Sequence, residues 1–251
     1  MEILAKDLKL ALDPVAFAIE LGFNPDPWQK QVLRWTENRL LMNCARQTGK
    51  STTAAILALH MAIYYFKSLV LLVSPSLRQS GELFRKVTEL LDKMMVKPRL
   101  IEDNKLSCTL ANKSRIVSLP SSESTIRGFS GANLIIEDEA SRVSDELYRS
   151  VRPMLATSGG KLILMSTPFG KRGHFFGEWD KGENWEKVKI TAYECPRISE
   201  EFLLEERASL GEWWYRQEYE CEFVEPIDSV FGYELIMSAL SRDVEPLFAK
   251  E

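Results

Sequence analysis

The sequence predicts an α/β fold, a mainly parallel sheet flanked by helices and organised around a phosphate-binding loop. Three observations point there. The apolar run Leu40-Leu41-Met42 stops at Asn43, turns through a short polar loop to Gly49-Lys50-Ser51, and continues into the helix-forming stretch TTAAILALHMAIYY. The run Leu69–Val73 ends abruptly at Ser74-Pro75. A third, Asn133-Leu134-Ile135-Ile136, runs straight into Glu137-Asp138-Glu139. Continuous apolar runs, unlike alternating ones, mark strands buried on both faces, as in parallel sheets.

Strand, tight loop and helix is the context in which a loop can cradle phosphates. Backbone N–H groups of the turn and the helix N-terminus, over Gln47, Thr48, Gly49 and Thr52, would point at the anion. Lys50 would reach the β- and γ-phosphates of ATP, and the Ser51 hydroxyl would ligate Mg²⁺. The strict pattern asks for a glycine where this chain has Cys44. The acids after Ile136 lie at a strand's C-terminal end, where open α/β sheets bind ligands. Asp138 would hold Mg²⁺ through water, and Glu139 would polarise the attacking water as general base, with Glu137 the first alternative.

Composition allows one sizeable α/β domain in 251 residues, perhaps with a small appendage. No apolar stretch reaches membrane-spanning length, and the opening MEILAKDLKLALD has the charge pattern of a helix, not of a signal peptide. Four cysteines without metal-like spacing suggest reduced thiols. Net charge is −4, but it is unevenly spread: residues 30–115 carry 15 Lys and Arg against 6 Asp and Glu, whereas 199–225 carry 9 acidic and 2 basic residues. Such a chain can present a basic face to a polyanion and an acidic face elsewhere.

The remaining elements come in chain order. Ile3, Leu4, Leu8, Ala11 and Leu12 mark a first helix, and Asp13-Pro14 and Asp26-Pro27 start two more. Trp28-Gln29 lies just over twenty positions before Lys50, and a glutamine amide can pair in two-pronged fashion with adenine N6 and N7. Leu77–Met95 reads as an amphipathic helix, and Leu106–Leu110 with Arg115–Leu119 as a hairpin. Asn112-Lys113 is not the guanine-reading motif, because Arg115 stands where that motif needs Asp. Lys161–Met165 is another buried strand, ending at Ser166-Thr167-Pro168, whose hydroxyls are placed to sense a γ-phosphate. Trp185–Ile190 reads as a strand and Glu200–Tyr219 as an acidic helix, in a smaller second subdomain.

With these pieces placed, residues Trp28 to Phe231 resemble the N-terminal ATPase region of the large subunit of tailed-phage terminases. The resemblance is carried by CARQTGKS, IRGFSGANLIIEDEA, LMSTPFGKRG and YRQEYECEFVEP, in family order. It implies a RecA-like (ASCE-type) P-loop core over residues 1–175, a lid over 176–228, and a linker start over 229–251 toward a nuclease domain that this chain is too short to hold. It also implies ATP and Mg²⁺ as ligands, Asp138 as the Mg²⁺ carboxylate and Glu139 as the catalytic one. Arg46 would act near the γ-phosphate in the same chain, Arg127 in a neighbouring subunit's site, and Ser166 and Thr167 in coupling. The implied function is ATP hydrolysis that drives double-stranded DNA into a procapsid. The implied partners are a homo-oligomeric ring (a pentamer), the portal protein and the terminase small subunit, in host cytoplasm at the procapsid, with no membrane. A helicase-like translocase shares the glutamine, the loop and the Asp-Glu pair. A non-hydrolysing nucleotide-binding adaptor is the reading against which Glu139 argues.

Overall fold

Apolar runs only three to five residues long hide both faces only if other strands flank them and helices cover them. In the computed structural model, which describes residues 2–120, 128–225 and 233–240, eight strands form a single sheet in the order β3-β4-β5-β2-β6-β7-β1-β8. Three helices come first: α1 (Glu2–Leu12), α2 (Pro14–Glu20) and α3 (Pro27–Leu33). They lead to β1 (Arg39–Cys44), α4 (Lys50–Tyr64), β2 (Leu69–Ser74) and α5 (Leu77–Asp92). Next are β3 (Leu100–Asn104), β4 (Ser107–Leu110), β5 (Arg115–Pro120), β6 (Leu134–Asp138), α6 (Asp145–Val151) and β7 (Lys161–Ser166). The chain continues with α7 (Gly173–Lys181), β8 (Glu186–Ile190), α8 (Glu200–Leu210), α9 (Glu212–Glu218) and α10 (Tyr233–Ala239).

Six strands, β5-β2-β6-β7-β1-β8, run parallel, and β3 and β4 extend the β5 edge as an antiparallel meander. The expected hairpin is β4–β5; β3 (Leu-Ile-Glu-Asp-Asn), exposed at all but Leu100, carried no strand pattern. The two-residue side-chain period sorts the sheet into two cores. Leu40, Met42, Val70, Leu72, Leu134, Ile136, Ile163 and Met165 join the helical side of α2–α5. Leu41, Leu71, Val73, Ile135, Leu162 and Leu164 face the side that holds Leu147, Tyr148 and Phe175. No described helix is long and apolar enough to cross a membrane.

The division expected at 175/176 runs through this architecture. β8 pairs with β1 along Leu40↔Glu186 to Cys44↔Ile190 and is the eighth strand of the core sheet. Separate packing begins only after β8, where Ala192, Leu203, Tyr215, Tyr219 and Cys221 form a small third cluster, closed against Ala45 of the loop. The expected Glu200–Tyr219 helix is two, because Gly211 (φ 77°) breaks it into α8 and α9. All four cysteines are buried and unbridged.

Candidate active site

The loop between β1 and α4 is built by two backbone conformations and one missing side chain. Gln47 (φ 60°) and Gly49 (φ 96°) take left-handed φ, and α4 starts at Lys50. A Cβ at Gly49 would lie 2.7 Å from Gln29 Nε2, so glycine is required there by space as well as by φ. Cys44, where the strict motif has glycine, is the last residue of β1 with its side chain in the core. Its φ is negative and burial pushes its thiol up to about 12, so a small inert side chain satisfies the position. Within the loop, the Thr48 hydroxyl donates to the Ala45 carbonyl at 2.9 Å.

At the adjoining strand end, Glu139 follows β6 in the left-handed region (φ 54°, ψ 41°), a conformation uncommon for a residue with a side chain. Its Oε1 lies 3.3 Å from Lys50 Nζ, and its Oε2 accepts from the Ser166 hydroxyl at 3.4 Å. Ser166 also exchanges a 2.7 Å hydrogen bond with Ser141. Thr167 beside it is buried. Asp138 accepts from its neighbour's N–H (Glu139, 3.0 Å) and faces the Ser51 hydroxyl at 3.4 Å. Burial raises the Asp138 carboxyl to about 6, against the pull of Lys50. Lys50 is itself buried; burial works against its charge, but Glu139 and Asp138 outweigh it and its pKa is raised. Lys50, Ser51, Asp138, Glu139 and Ser166 are thus brought together at the N-terminus of a fifteen-residue helix.

The donor set fits Mg²⁺. Ser51 and Asp138 offer hard oxygens side by side, and a carboxylate whose ionisation burial disfavours gains from a cation. No group of three or more metal-ligating His, Cys, Asp or Glu exists among the described residues.

Two expected residues are placed differently. Gln29 is fully buried, and its Oε1 accepts from the Asp26 N–H at 2.8 Å, which removes one prong of the two-pronged adenine contact. Its Nε2 is buried against Gly49 with no hydrogen-bond partner among the described residues. Arg46 is ion-paired through Nε to Glu218 Oε2 at 2.5 Å, and that bond is the main cause of its raised pKa, with Glu139 a lesser one. Arg127 lies outside the described residues.

The model of the family described as terminase large subunit, T4likevirus-type, N-terminal, matches residues 41–237. The chain belongs to that family. It is 25% identical over 248 residues to the terminase large subunit of Thermus phage G20c, covering 84% of this chain and 51% of that protein. This terminase chain therefore spans about half the length of the curated relatives it matches. The solved ATPase domain of the Thermus phage P74-26 large terminase shares its fold, with a TM-score of 0.71 at 21% identity, covering 83% of this chain and 97% of that one. So does the large terminase of a thermophilic bacteriophage solved in complex with ADP, with a TM-score of 0.64 at 14% identity over 79% of this chain and 53% of that one.

The remaining acid of the triplet faces away from this site, toward a histidine that no sequence motif announced. Glu137, the alternative base, is fully buried on the opposite face of β6 from Asp138, and its Oε1 lies 2.6 Å from His174 Nε2. That placement removes it as a base for the loop side. His174 makes a second contact through Nδ1 to Asp145 Oδ1 at 3.3 Å and stacks on Tyr148 at 4.3 Å. Burial raises Glu137 despite the imidazole; burial works against the His174 charge, but Glu137 and Asp145 raise it. Period-two alternation along β6 was the available signal, since it separates 137 from 138. Glu218, within the YRQEYECEFVEP segment, also touches the loop, as does Arg197, which stands in no recognisable pattern.

Proposed function

We propose that this chain is the ATPase part of a viral DNA-packaging motor, which hydrolyses ATP to drive double-stranded DNA into a procapsid. The observation that carries the reading is the convergence of Lys50, Ser51, Asp138 and Glu139 at the N-terminus of α4. Backbone N–H groups of residues 47–52 bind and orient the phosphates, with Lys50 on their β- and γ-oxygens. Ser51 and Asp138 would hold Mg²⁺, which supplies charge neutralisation on those oxygens. Glu139, whose carboxylate meets Lys50 and the Ser166 hydroxyl, orients the attacking water and accepts its proton. Ser166 and Thr167 sense what occupies the γ position. Arg46, released from Glu218, adds positive charge in the same chain, and Arg127 does so for a neighbour. The uneven charge and the family support the further partners: DNA, a pentameric ring, the portal protein and the small subunit, at the procapsid in host cytoplasm.

The test is Glu139→Gln, measured by phosphate release and by ATP binding. Binding should persist while turnover falls ~10²–10⁴-fold, the usual effect of losing a general base. Turnover near that of the unaltered chain would remove Glu139 from this role. Lys50→Ala should instead weaken binding, and unchanged affinity would undo the phosphate-loop assignment.

A further inference from the structure

We infer that Arg197 is a positioning residue that sets the orientation of the Thr48–Gly49 peptide and so ties nucleotide affinity to the small helical subdomain. The inference rests on the reading of residues 45–52 as the nucleotide-phosphate loop.

Arg197 stands between β8 and α8, next to Ile198, which packs on the cluster that joins α8 and α9 to Ala45. Its guanidinium reaches two other parts of the chain at once. Nη1 lies 3.0 Å from Asp26 Oδ1 and 2.8 Å from Oδ2, at the residue that starts α3. Nη2 donates to the Thr48 carbonyl at 2.9 Å. A planar fork is suited to holding two acceptors at a fixed separation, which a lysine ammonium is not.

Peptide geometry gives this grip its effect. In a trans peptide the C=O and the next N–H point in opposite directions. Holding the Thr48 carbonyl outward on Arg197 therefore turns the Gly49 N–H to the other side. A loop cradles phosphate with its N–H groups, so this peptide must not flip. Gly49 can flip readily, because glycine lacks the steric barrier that restrains other residues. The same peptide is backed by Gln29, whose buried Nε2 abuts Gly49 and whose Oε1 is fixed on the Asp26 N–H. Asp26, Gln29 and Arg197 thus form one brace behind the loop. Only Arg197 belongs to the part of the chain that packs with α8 and α9, so movement there would release the Thr48 carbonyl.

The experiment uses the full chain, with Arg197→Ala, Arg197→Lys, Asp26→Asn and the double variant Arg197→Ala/Asp26→Asn. ADP and ATP affinities are measured by calorimetry, KM and kcat by phosphate release, and nucleotide-free hydrogen exchange over residues 44–52. Arg197→Ala should raise Kd and KM about tenfold, as for one partly exposed charge-assisted hydrogen bond, with kcat within about twofold. Exchange should quicken in the loop and stay unchanged in β6 and β7. Arg197→Lys should recover less than half of the loss, and Asp26→Asn should add little once Arg197 is gone. Loop exchange and Kd like those of the unaltered chain would overturn the inference. So would exchange that rises throughout the sheet, or two losses that simply add. If the unaltered chain binds neither nucleotide, the phosphate-loop reading fails instead, and the exchange comparison still decides whether Arg197 holds the peptide.

Discussion

Removing the charge of Asp138 should make the metal-free, nucleotide-free protein more stable, although it removes the residue proposed to hold Mg²⁺. Asp138 is only 7% exposed, and burial raises its carboxyl from 3.8 to about 6. Its folded value lies above its unfolded one, so the native state binds the extra proton and stability falls as pH rises through that window. Below about pH 4 both states are protonated and the penalty is absent; above about pH 6 it is complete. A difference of about two pK units corresponds to about 3 kcal/mol. Asp138→Asn recovers this but leaves a buried amide donor with only the distant Ser51 oxygen, 3.4 Å away, to receive it, at about 1–2 kcal/mol. The Glu139 N–H bond survives on the amide oxygen, and Lys50 keeps Glu139 as counter-charge. The net expectation is about 1–2 kcal/mol of added stability at pH 8, or roughly 3–6 °C in Tm for a chain of this size.

The assay is urea and thermal unfolding in EDTA at several pH values between 4 and 8, followed by the same titration with Mg²⁺ and ATP. The Asn variant should be the less stable of the two at pH 4 by about 1 kcal/mol, cross its parent near pH 5 and reach its full advantage by pH 7. With Mg²⁺ and ATP the order should reverse, because ligand stabilises in proportion to ln(1 + [L]/Kd) and the Asn variant binds poorly. An Asn variant less stable than its parent at pH 8 in EDTA, or an advantage independent of pH, would refute the argument from burial.

Gly49→Ala meets both a positive φ and the Gln29 amide, so it should cost about 1–3 kcal/mol by urea unfolding and abolish ATP binding; intact binding would contradict the loop geometry. His174→Ala leaves Glu137 buried without its ring partner and should destabilise by about 3–5 kcal/mol, while Glu137→Gln in the same chain should recover part of it. Because the folded imidazole pKa is raised, its contribution is fully present below about pH 6.5 and is lost as pH rises through the folded value, which a pH series of unfolding midpoints checks. Mixing Arg127→Ala with Glu139→Gln subunits should give more activity than either alone if Arg127 completes a neighbour's site; an assembled but inactive mixture would place it in cis or on DNA. The arginine contribution at stake is ~10³–10⁵ in rate.

The parallel core was legible because its strands are buried on both faces, so Leu40–Met42, Leu69–Val73 and Leu134–Ile136 read as unbroken apolar runs. That Lys50, Ser51, Asp138 and Glu139 would lie together was legible because the apolar runs place them at a strand end and a helix start. β3 was not, since an edge strand exposed on both faces carries neither an apolar run nor an apolar alternation. The place of β8 in the sheet was hidden for a different reason. Its half-exposed alternation says strand, but only the pairing with β1 says which sheet. Gln29 was misjudged in detail because its fate depends on Asp26 and Gly49, residues three before and twenty after it.

The end of β6 shows why the acidic triplet matters as a unit. Consecutive strand residues point to opposite faces, so Glu137 and Asp138 necessarily belong to different surroundings. Asp138 turns to Ser51 and the loop; Glu137 turns to His174 at the start of α7. Glu139, past the strand, swings back to Lys50 because its backbone adopts left-handed φ. The segment between β7 and α7 is held at both ends by these acids, with Ser166 on Glu139 and His174 on Glu137. Midway, the Gly170 N–H donates to Gln217 of α9 at 3.3 Å, and Arg142 lies 4.1 Å over the Phe169 ring. A shift of Glu139 from Lys50 toward a bound water would loosen the first of those ties while leaving the buried Glu137–His174 anchor in place. The segment would then pivot about His174, and Gln217 would carry the displacement to α9. Cutting the Gln217 contact with Gln217→Ala should therefore leave nucleotide affinity intact and abolish nucleotide-dependent changes in hydrogen exchange over α9. Unaltered changes there would show that the signal leaves the site through Glu218 and Arg46 instead.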